Sequence, residues 1–198
     1  NNSLIVDERW GAWLGYFMGD GSFGGDCISL VCDGKDTDVS EGIRNLSQDI
    51  WGVDFHPRKV RGAVEVRATN RLFSYTLLEL DCLQEKTGRD VLAWKRKVCV
   101  PESIWYSPKL VVKEFLAWLF EADGWTSKNS CQIKFFSKYR DFMGDVQLLL
   151  LAFGIETTIK LVTRNLNGKS YPGWELQLNA KAANIFHNEI GFISERKS

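Results

Sequence analysis

The stretch WLGYFMGDG at residues 13–21 returns in variant form as LAWLFEADG at residues 116–124. In both copies, seven mostly apolar or small residues lead into Asp-Gly, which predicts a buried helix that ends at an acidic residue. Asp20 and Asp123 are therefore expected in the last helical turn, beside carbonyl groups that lack intrahelical donors. A carboxylate at the negative end of a helix costs about 0.3–1 kcal/mol. Finding this cost twice favours a bound cation.

The oxygen-rich surroundings of the two acids suit Mg²⁺ or Ca²⁺. The alternative is that Asp-Gly is simply a common turn. A single copy would favour the turn, whereas two copies on matching apolar helices favour the metal. Asp7 is expected to cap the first helix, and Ser107 with Pro108 should start the second. Gly21 and Gly124 are predicted at the residue after each helix, where a left-handed backbone makes glycine common.

The repeat extends beyond the two helices. Gly52-Val53 and Gly154-Ile155 lie 102 residues apart, and Asp20 and Asp123 lie 103 apart. Each half reads as helix, two strands, helix, two strands, helix. This predicts an α+β fold with αββαββα duplicated about a pseudo-twofold axis, where the two Asp-Gly helices meet. The predicted halves are 1–83 and 113–198, joined by a charged linker at 84–112, and together they predict a monomer.

The composition constrains the class of protein only weakly. Lys plus Arg and Asp plus Glu both total 25, so the net charge is zero. This argues mildly against a nucleic-acid binder, although local patches matter more than totals. The five cysteines lack a C-x-x-C pair, which predicts free thiols rather than a disulfide framework or a zinc site. Neither a membrane span nor a signal peptide is expected, so we predict a protein that is not secreted and has no membrane partner.

Several strands alternate polar and apolar side chains. In the run at residues 64–69 and its counterpart at 174–179, one face is entirely polar. A half-solvated antiparallel sheet would show this pattern without any ligand. However, Arg, Lys, Gln, Asn and Thr are also the residue types that contact base edges in the major groove of DNA. The candidate DNA-binding residues are Arg58, Arg61, Arg67, Gln132, Lys134, Lys138, Lys160, Arg164, Gln177 and Asn179.

These motifs resemble those of the LAGLIDADG homing endonucleases, in the form that carries both motifs in one chain. Four further segments agree with the family pattern: GDGSF at residues 19–23, VPESI at 100–104, LLLLAFGI at 148–155 and IGFISERK at 190–197. The sequences of these segments are most similar to those of intein-encoded endonuclease domains. The resemblance covers nearly the whole chain.

The resemblance implies a saddle of two curved antiparallel sheets that binds a long, asymmetric double-stranded DNA target and cleaves both strands. It implies that Asp20 and Asp123, with the carbonyl groups of Gly19 and Ala122, bind Mg²⁺, and that Mn²⁺ or Ca²⁺ can occupy the same sites. It also implies a lysine near each scissile phosphate. The candidates are Lys97 and Lys197, with Lys95 as a competitor for the first position. The location implied is the cytoplasm, or wherever the host genome resides.

The second motif departs from the family pattern at its third position. The small third residue of the motif is Gly15 in the first copy but Trp118 in the second. We expect Trp118 to fill the space over the strip formed by Gly11, Gly15 and Gly19, the alternative being that it is displaced outward.

The function implied by the resemblance has a rival. The same scaffold could serve a non-cleaving DNA- or RNA-binding module, such as a maturase or a transcription factor. The presence of both motif acids favours the endonuclease.

Overall fold

A computed structural model of the chain describes residues 5–85, 94–96, 98–127, 131–166 and 168–197. The elements of the first half are α1 (Glu8–Asp20), β1 (Gly21–Gly24), β2 (Cys27–Asp33), α2 (Thr37–Trp51), β3 (His56–Val60), β4 (Ala63–Thr69) and α3 (Arg71–Glu79). The connecting segment contains β5 (Leu83–Glu85), β6 (Trp94–Arg96) and α4 (Glu102–Trp105). The elements of the second half are α5 (Lys109–Asp123), β7 (Gly124–Ser127), β8 (Gln132–Ser137), α6 (Arg140–Leu151), β9 (Thr158–Leu166), β10 (Lys169–Leu178) and α7 (Ala180–Glu189). The predicted αββαββα order is therefore confirmed in both halves.

Each half contributes one antiparallel four-stranded sheet. The strand order is β1-β2-β4-β3 in the first sheet and β7-β8-β10-β9 in the second. Because β1 and β7 begin directly after α1 and α5, each motif helix leads into an edge strand of its own sheet. The connecting segment is not a bare linker, since β5 and β6 pair with each other and β6 lies against β1. The helix α5 also begins within the predicted linker, at Lys109.

The helices α1 and α5 pack side by side with their backbones in contact. A Cβ atom on Gly11 would lie 2.4 Å from the carbonyl oxygen of Val111, and one on Gly15 would lie 2.1 Å from that of Phe115. Both distances are far below van der Waals contact, so only glycine fits at these two positions. The contacts advance in the same direction along both helices, which shows that the helices are parallel. Their C-terminal ends therefore lie together.

The expected position of Trp118 was wrong. Gly15 is covered by the backbone of Phe115 and Leu119, which leaves no space for an indole between the helices. Trp118 instead points away from the helix crossing and is buried against α2, 3.0 Å from the position a Cβ atom would take on Gly42. Its ring also packs edge-on against Tyr16, with 6.0 Å between the ring centroids. The second motif tolerates a large third residue because that residue faces α2 of the other half, outside the helix crossing.

The predicted reason for glycine after each motif helix was also wrong. Gly21 and Gly124 have φ angles of −87° and −86°, in the extended region that any residue adopts. What excludes a side chain is a close backbone approach. A Cβ atom would lie 2.3 Å from the carbonyl oxygen of Phe17 at Gly21, and 2.6 Å from that of Phe120 at Gly124. These glycines allow the chain to leave each helix abruptly and enter the edge strand.

The two motif helices begin differently. The predicted cap of α1 is confirmed, because the Asp7 carboxylate accepts hydrogen bonds from the backbone amides of Arg9 and Trp10 at 3.0 and 3.2 Å. At α5 the cap position is held by Pro108, which has no capping side chain. The Ser107 hydroxyl instead donates to the carbonyl oxygen of Ser103 in α4 at 2.6 Å. The start of α5 is thus fixed by proline geometry rather than by the serine.

The hydrophobic core is one continuous cluster that contains a group of aromatic side chains from each half. In α1 every residue from Trp10 to Gly19 is buried, as expected for a helix covered on all sides. Trp13 stacks on Phe17 and donates its indole N–H to Ser47 of α2 at 2.9 Å. In the second half Phe120 contacts Phe135 and Phe186, with centroids 5.1 and 4.9 Å apart. The two helices that end at Asp20 and Asp123 are therefore both firmly packed in the core.

Two predictions from composition can be compared with the described residues. All five cysteines are free, with Cys32 and Cys82 buried and Cys131 exposed. In the described part of the chain, no helix has both the length and the apolar character that crossing a bilayer requires.

The glycine crossing predicts a specific stability effect. Gly15→Ala should lower the free energy of unfolding by about 1–3 kcal/mol, because the added methyl group forces the two backbones apart. Gly144→Ala is a matched control in α6, where the nearest atom to the new Cβ is the flexible end of Arg140 at 3.2 Å. The control should be neutral or stabilising by up to about 1 kcal/mol, owing to the helix propensity of alanine. Urea unfolding measures both values, and equal effects at the two sites would contradict the crossing geometry.

Candidate active site

The two motif acids meet at the C-terminal ends of the parallel helices. Asp20 is the last residue of α1, and Asp123 is the last residue of α5. Where the helices end, a Cβ atom on Gly19 would lie 2.4 Å from the Cβ of Ala122 and 3.7 Å from Oδ2 of Asp123. The Asp123 carboxylate thus lies against the backbone that precedes Asp20. The structure brings one acid from each half to a shared position, as the sequence predicts.

The electrostatics of Asp20 show how unfavourable this pairing is without a counterion. Asp20 is in contact with solvent, yet the surrounding protein removes part of its hydration. This loss, followed by the charge of Asp123, raises the pKa of Asp20 to about 7 from its ordinary 3.8. Burial also raises the pKa of Asp123, against the opposing effect of nearby Arg96 and Lys197. At neutral pH the pair therefore retains a proton part of the time.

The carboxylate oxygens are available to a ligand. Among the described residues, none donates a hydrogen bond to Asp20 or Asp123 or forms an ion pair with either within 4 Å. The same residues contain no group of three or more His, Cys, Asp or Glu side chains arranged to hold a metal ion. A cation at this position would have to complete its shell with backbone carbonyls, water or phosphate. Gly19 and Ala122, whose carbonyl groups the family resemblance assigns to the metal, lie directly before the two acids.

Two cationic side chains approach the acid pair from different parts of the chain. Arg96, on β6 of the connecting segment, stabilises the charged forms of Asp123 and Asp20. Its pKa is lowered, mainly because it is partly removed from water. Sequence reasoning missed Arg96, since it proposed the neighbouring Lys97, which lies outside the described residues. The catalytic role of Lys97 stays a prediction, and Lys95 lies on β6 opposite Gln84 of β5.

The second cation is Lys197, which the resemblance assigned to the second half. Its ammonium group donates to the carbonyl oxygen of Glu121, two residues before Asp123. It also lies 3.7 Å from Oε1 of Glu121, and its side chain is only 11% exposed. Burial lowers the pKa of Lys197, while Glu121 and Asp20 oppose this effect. Lys197 is therefore held beside the end of α5 and is close enough to Asp20 to influence its charge.

The polar face of the second sheet carries a connected network. The Glu175 carboxylate accepts from Lys134 at 2.9 Å and from Arg164 at 3.2 Å. The Arg164 guanidinium also lies over the rings of Trp125 and Phe136, 4.0 and 4.4 Å from their centroids. One carboxylate thus offsets part of the charge of two predicted DNA-binding cations and fixes their positions.

Three further predicted DNA-binding residues belong to this face. The Gln177 amide donates to Oε1 of Gln132 at 2.6 Å, on adjacent strands. Lys160 lies opposite Glu175 across the β9–β10 pair and is exposed. The structure therefore places Gln132, Gln177 and Lys160 on one surface with the network around Glu175. This surface begins at β7, directly after Asp123.

The first sheet presents its cations more openly. Arg67 lies on β4 opposite Ser29 and His56, and it is exposed. Arg58 lies opposite Glu65 on the outer strand, where every residue of β3 is exposed. Arg61 lies in the two-residue turn between β3 and β4, with a φ angle of 47°. The structure thus groups the three arginines on β3, β4 and the turn that joins them.

The last two predicted DNA-binding residues directly follow strands of the second sheet, Lys138 after β8 and Asn179 after β10. Lys138 follows β8, is exposed and lies over the ring of Tyr139 at 4.8 Å from its centroid. The Asn179 carboxamide accepts a hydrogen bond from the backbone amide of Ala182 at 2.9 Å and caps α7. This contact gives Asn179 a structural role, because an N-cap side chain satisfies an otherwise unpaired helix donor. A role of Asn179 in DNA binding stays a prediction.

The comparisons with known sequences agree with this geometry. Residues 111–191 match the model of the LAGLIDADG-like domain. The gyrase A protein of Mycobacterium gordonae, a component of DNA gyrase, is 32% identical over 181 residues, which cover 86% of this chain and 32% of the gyrase protein. The probable translation initiation factor IF-2 of Methanocaldococcus jannaschii is 23% identical over 193 residues, with 96% of this chain and 16% of the factor covered. The chain spans between about a tenth and just over a third of the length of the curated relatives it matches.

Solved structures extend the similarity to both halves. The homing endonuclease I-DmoI in complex with DNA and Mn superposes with a TM-score of 0.70 and 15% identity, covering 94% of this chain and 98% of that one. I-DmoI with DNA and Ca gives a TM-score of 0.69 with 15% identity over 93% of this chain and 90% of that one. Full-length DUF199/WhiA from Thermatoga maritima gives 0.62 with 13% identity, over 99% of this chain and 59% of that one. At these identities the structures establish the fold.

The raised pKa of Asp20 predicts how stability depends on pH. Between pH 4 and pH 7 Asp20 is protonated more often in the folded protein than in the unfolded chain, so its contribution to stability should fall as the pH rises through this window. Asp20→Asn removes the charge, and it should therefore raise Tm at pH 8 in EDTA by about 2–4 °C for each kcal/mol of relieved repulsion. The gain should disappear below about pH 4, where Asp20 of the wild type is protonated and as uncharged as the asparagine of the variant.

Thermal unfolding monitored by circular dichroism across this range measures the effect. Asp49→Asn, which alters an exposed carboxylate of α2, is the control and should show no comparable pH-dependent gain. A gain for Asp20→Asn that was constant with pH would rule out charge repulsion as its cause.

Proposed function

We propose, from the premise that this chain is a double-motif LAGLIDADG protein, that it is a site-specific DNA endonuclease that hydrolyses phosphodiester bonds in both strands of a long, asymmetric target with Mg²⁺. The observation that carries the proposal is the meeting of Asp20 and Asp123 at the ends of the paired helices. A structural role gives no reason to place two desolvated carboxylates together when no described residue donates to their oxygens. A catalytic cation site does.

The residues at this position fit a divalent metal. The charge of Asp123 disfavours the ionised form of Asp20, and a cation would relieve that repulsion. Asp20 and Asp123 would hold the ion, with the carbonyl groups of Gly19 and Ala122 completing the protein contribution. When bound, a divalent metal supplies an activated water and neutralises the leaving oxygen. Mn²⁺ or Ca²⁺ would occupy the same oxygen ligands.

The surrounding side chains complete the proposed mechanism. Lys197 and Arg96 lie on different segments around the acids, so each is available to one of the two strands. A cationic group beside a scissile phosphate stabilises the charge that develops on the phosphoryl oxygens. Gly19, which has no side chain, allows the carboxylate of Asp123 to approach the backbone of the first half. These residues orient the phosphate and offset its charge, while the acids hold the ion.

The two polar sheet faces are the proposed DNA-binding surface. They follow directly from the two acids through β1 and β7, so a duplex lying across both sheets would pass over the acid pair. Arg58, Arg61 and Arg67 would contact one half of the target. The network around Glu175, together with Gln132, Gln177 and Lys160, would contact the other half. The asymmetry of these two sets supports an asymmetric target.

Three further proposals concern the context of the domain. The matched relatives have unrelated activities and are covered over only a small part of their length, which supports a domain encoded within longer host proteins, as in inteins. Both halves of the site lie in one chain, which supports a monomer. A substrate of genomic DNA implies that the protein acts where the host genome resides.

A non-cleaving DNA- or RNA-binding module is the second candidate. The likeness to WhiA favours it, since that protein carries a LAGLIDADG domain and is an example of this fold outside the homing endonucleases. The free carboxylate pair argues for the enzyme, because binding to a polyanion would be weakened by two acids at the centre of the surface. Supercoiled plasmid containing the uninterrupted insertion site of the reading frame, incubated with Mg²⁺ or with EDTA, separates the two candidates. Linear product that requires Mg²⁺ supports the endonuclease, and intact plasmid with retained binding supports the module.

Removing either acid should separate cleavage from binding. Asp20→Asn and Asp123→Asn should each lower the cleavage rate by at least about 100-fold, because each supplies half of the cation site. DNA affinity measured by gel shift in Ca²⁺ should stay within about tenfold of the wild type, equivalent to about 1.4 kcal/mol. Substantial residual cutting by either variant would count against the metal role of that acid.

The DNA-binding residues should fall into two groups. Arg67→Ala and Gln177→Ala should relax preference at particular base pairs, at a cost of about 1–3 kcal/mol at each contacted position. Lys138→Ala, outside the strand faces, should weaken binding to all sequences alike and reduce the salt dependence, as expected for a phosphate contact. Binding assays on a panel of single-base target variants measure both effects. A uniform loss for all three substitutions would show that the split between base and phosphate contacts is wrong.

A further inference from the structure

The segment at residues 191–197, which we term the C-terminal strap, is anchored in the second half by a buried carboxylate. Glu121 lies in α5 and is 4% exposed. Its Oε2 accepts from the backbone amides of Ile193 and Ser194, both at 3.0 Å, and its Oε1 accepts from the Ser194 hydroxyl at 2.8 Å. Both carboxylate oxygens are therefore occupied by donors of the strap.

A second anchor joins the same strap to the first half. Arg196 donates two hydrogen bonds to Asp36, from Nε at 2.9 Å and from Nη2 at 2.5 Å. Asp36 directly precedes α2 and is only 7% exposed. A two-pronged arginine–carboxylate contact fixes orientation as well as distance. The strap is thus held at two points, to Glu121 in the second half and to Asp36 in the first half.

Lys197 follows the second anchor and returns to the end of α5. Its ammonium group contacts the carbonyl oxygen of Glu121, and its stem is nearly buried. A lysine on an unrestrained segment would sample many rotamers and lose that freedom when it bound a phosphate. Here the two anchors have already restricted the backbone that carries it. This arrangement places a cation at the acid pair before DNA arrives.

Glu121 is not itself a ligand candidate. Side chains two positions apart on a helix do not face each other, so Glu121 and Asp123 project in different directions from α5. Both oxygens of Glu121 already accept hydrogen bonds from the strap. By contrast, no described residue donates a hydrogen bond to Asp123. The two acids of the second motif therefore have separate tasks.

We propose that Glu121 and the Asp36–Arg196 pair are positioning elements that hold Lys197 at the two motif acids through the C-terminal strap. The proposal rests on the endonuclease function and adds residues whose effect on the reaction passes through Lys197 alone. It also gives a reason for an acid at the sixth position of the second motif, where the first motif has Met18. In the first half, the described cation near the acids is Arg96, on a strand of the connecting segment.

The strap can be tested without DNA. Hydrogen exchange in the metal-free protein should show protected amides at Ile193 and Ser194. Glu121→Gln should increase exchange at these two amides, because a carboxamide accepts more weakly than a carboxylate. Arg196→Ala tests the other anchor if the buried Glu121 substitution prevents folding. Arg9→Ala, which breaks the exposed pair with Asp7, is the matched control and should leave exchange in the strap unchanged.

Single-turnover cleavage of the target plasmid in Mg²⁺ tests the catalytic role. Glu121→Gln and Arg196→Ala should each slow the cleavage step by about 10- to 100-fold, as removal of a supporting contact commonly does. DNA affinity should stay within about twofold of the wild type. In a Lys197→Met background, neither substitution should slow the reaction further beyond about twofold, since both act through the same lysine.

The outcomes separate the two levels of the proposal. Additive losses in the Lys197→Met background, or unchanged rates in both anchor variants, would overturn the positioning role while leaving the endonuclease intact. Unprotected amides at Ile193 and Ser194 in the wild type would overturn the strap itself. No Mg²⁺-dependent cleavage by the wild type would overturn the endonuclease and, with it, any catalytic task for the strap.

Discussion

Direct backbone contact between α1 and α5 is the constraint on which the rest of the structure depends. Gly11 and Gly15 allow the helices to approach until carbonyl oxygens occupy the space of side chains. This contact joins the two halves and makes the helices parallel, which places both acidic ends at one position. A wider crossing would leave each Asp as an isolated helix-terminal residue. Stability and the proposed chemistry therefore have the same structural origin.

The same contact produces the electrostatic cost that gives the site its character. Two carboxylates are held together where hydration is incomplete, and the pKa of each is raised. Arg96 and Lys197 relieve the repulsion in part but form no direct ion pair with the acids among the described residues. The protein thus keeps the carboxylate oxygens free and the cations nearby. The charges of this site are complementary to a metal-bound phosphate. The metal ion would carry positive charge to the acids, and the phosphate would carry negative charge to the surrounding cations.

The sequence predicted the duplicated architecture because the repeat, the apolar helices and the alternating strands are local patterns. It also identified the two acids, since an aspartate at the end of an apolar helix is a local anomaly. Local patterns could not predict the contacts between segments that lie far apart in the sequence. Arg96 reaches the acids only because β6 lies against β1, and Glu121 finds its partners 72 and 73 residues later in the chain. The sequence also did not predict that Trp118 faces α2, or that Gly21 and Gly124 avoid a backbone clash instead of adopting a left-handed turn. Both details depend on how closely the packed backbones approach each other.

Anomalous diffraction from crystals grown with target DNA and Mn²⁺ would show directly whether the two acids share a cation. We expect a Mn²⁺ peak bounded by the carboxylates of Asp20 and Asp123, with a DNA phosphate as an additional ligand. No peak between these side chains, with both carboxylates instead paired to Arg96 and Lys197, would contradict it.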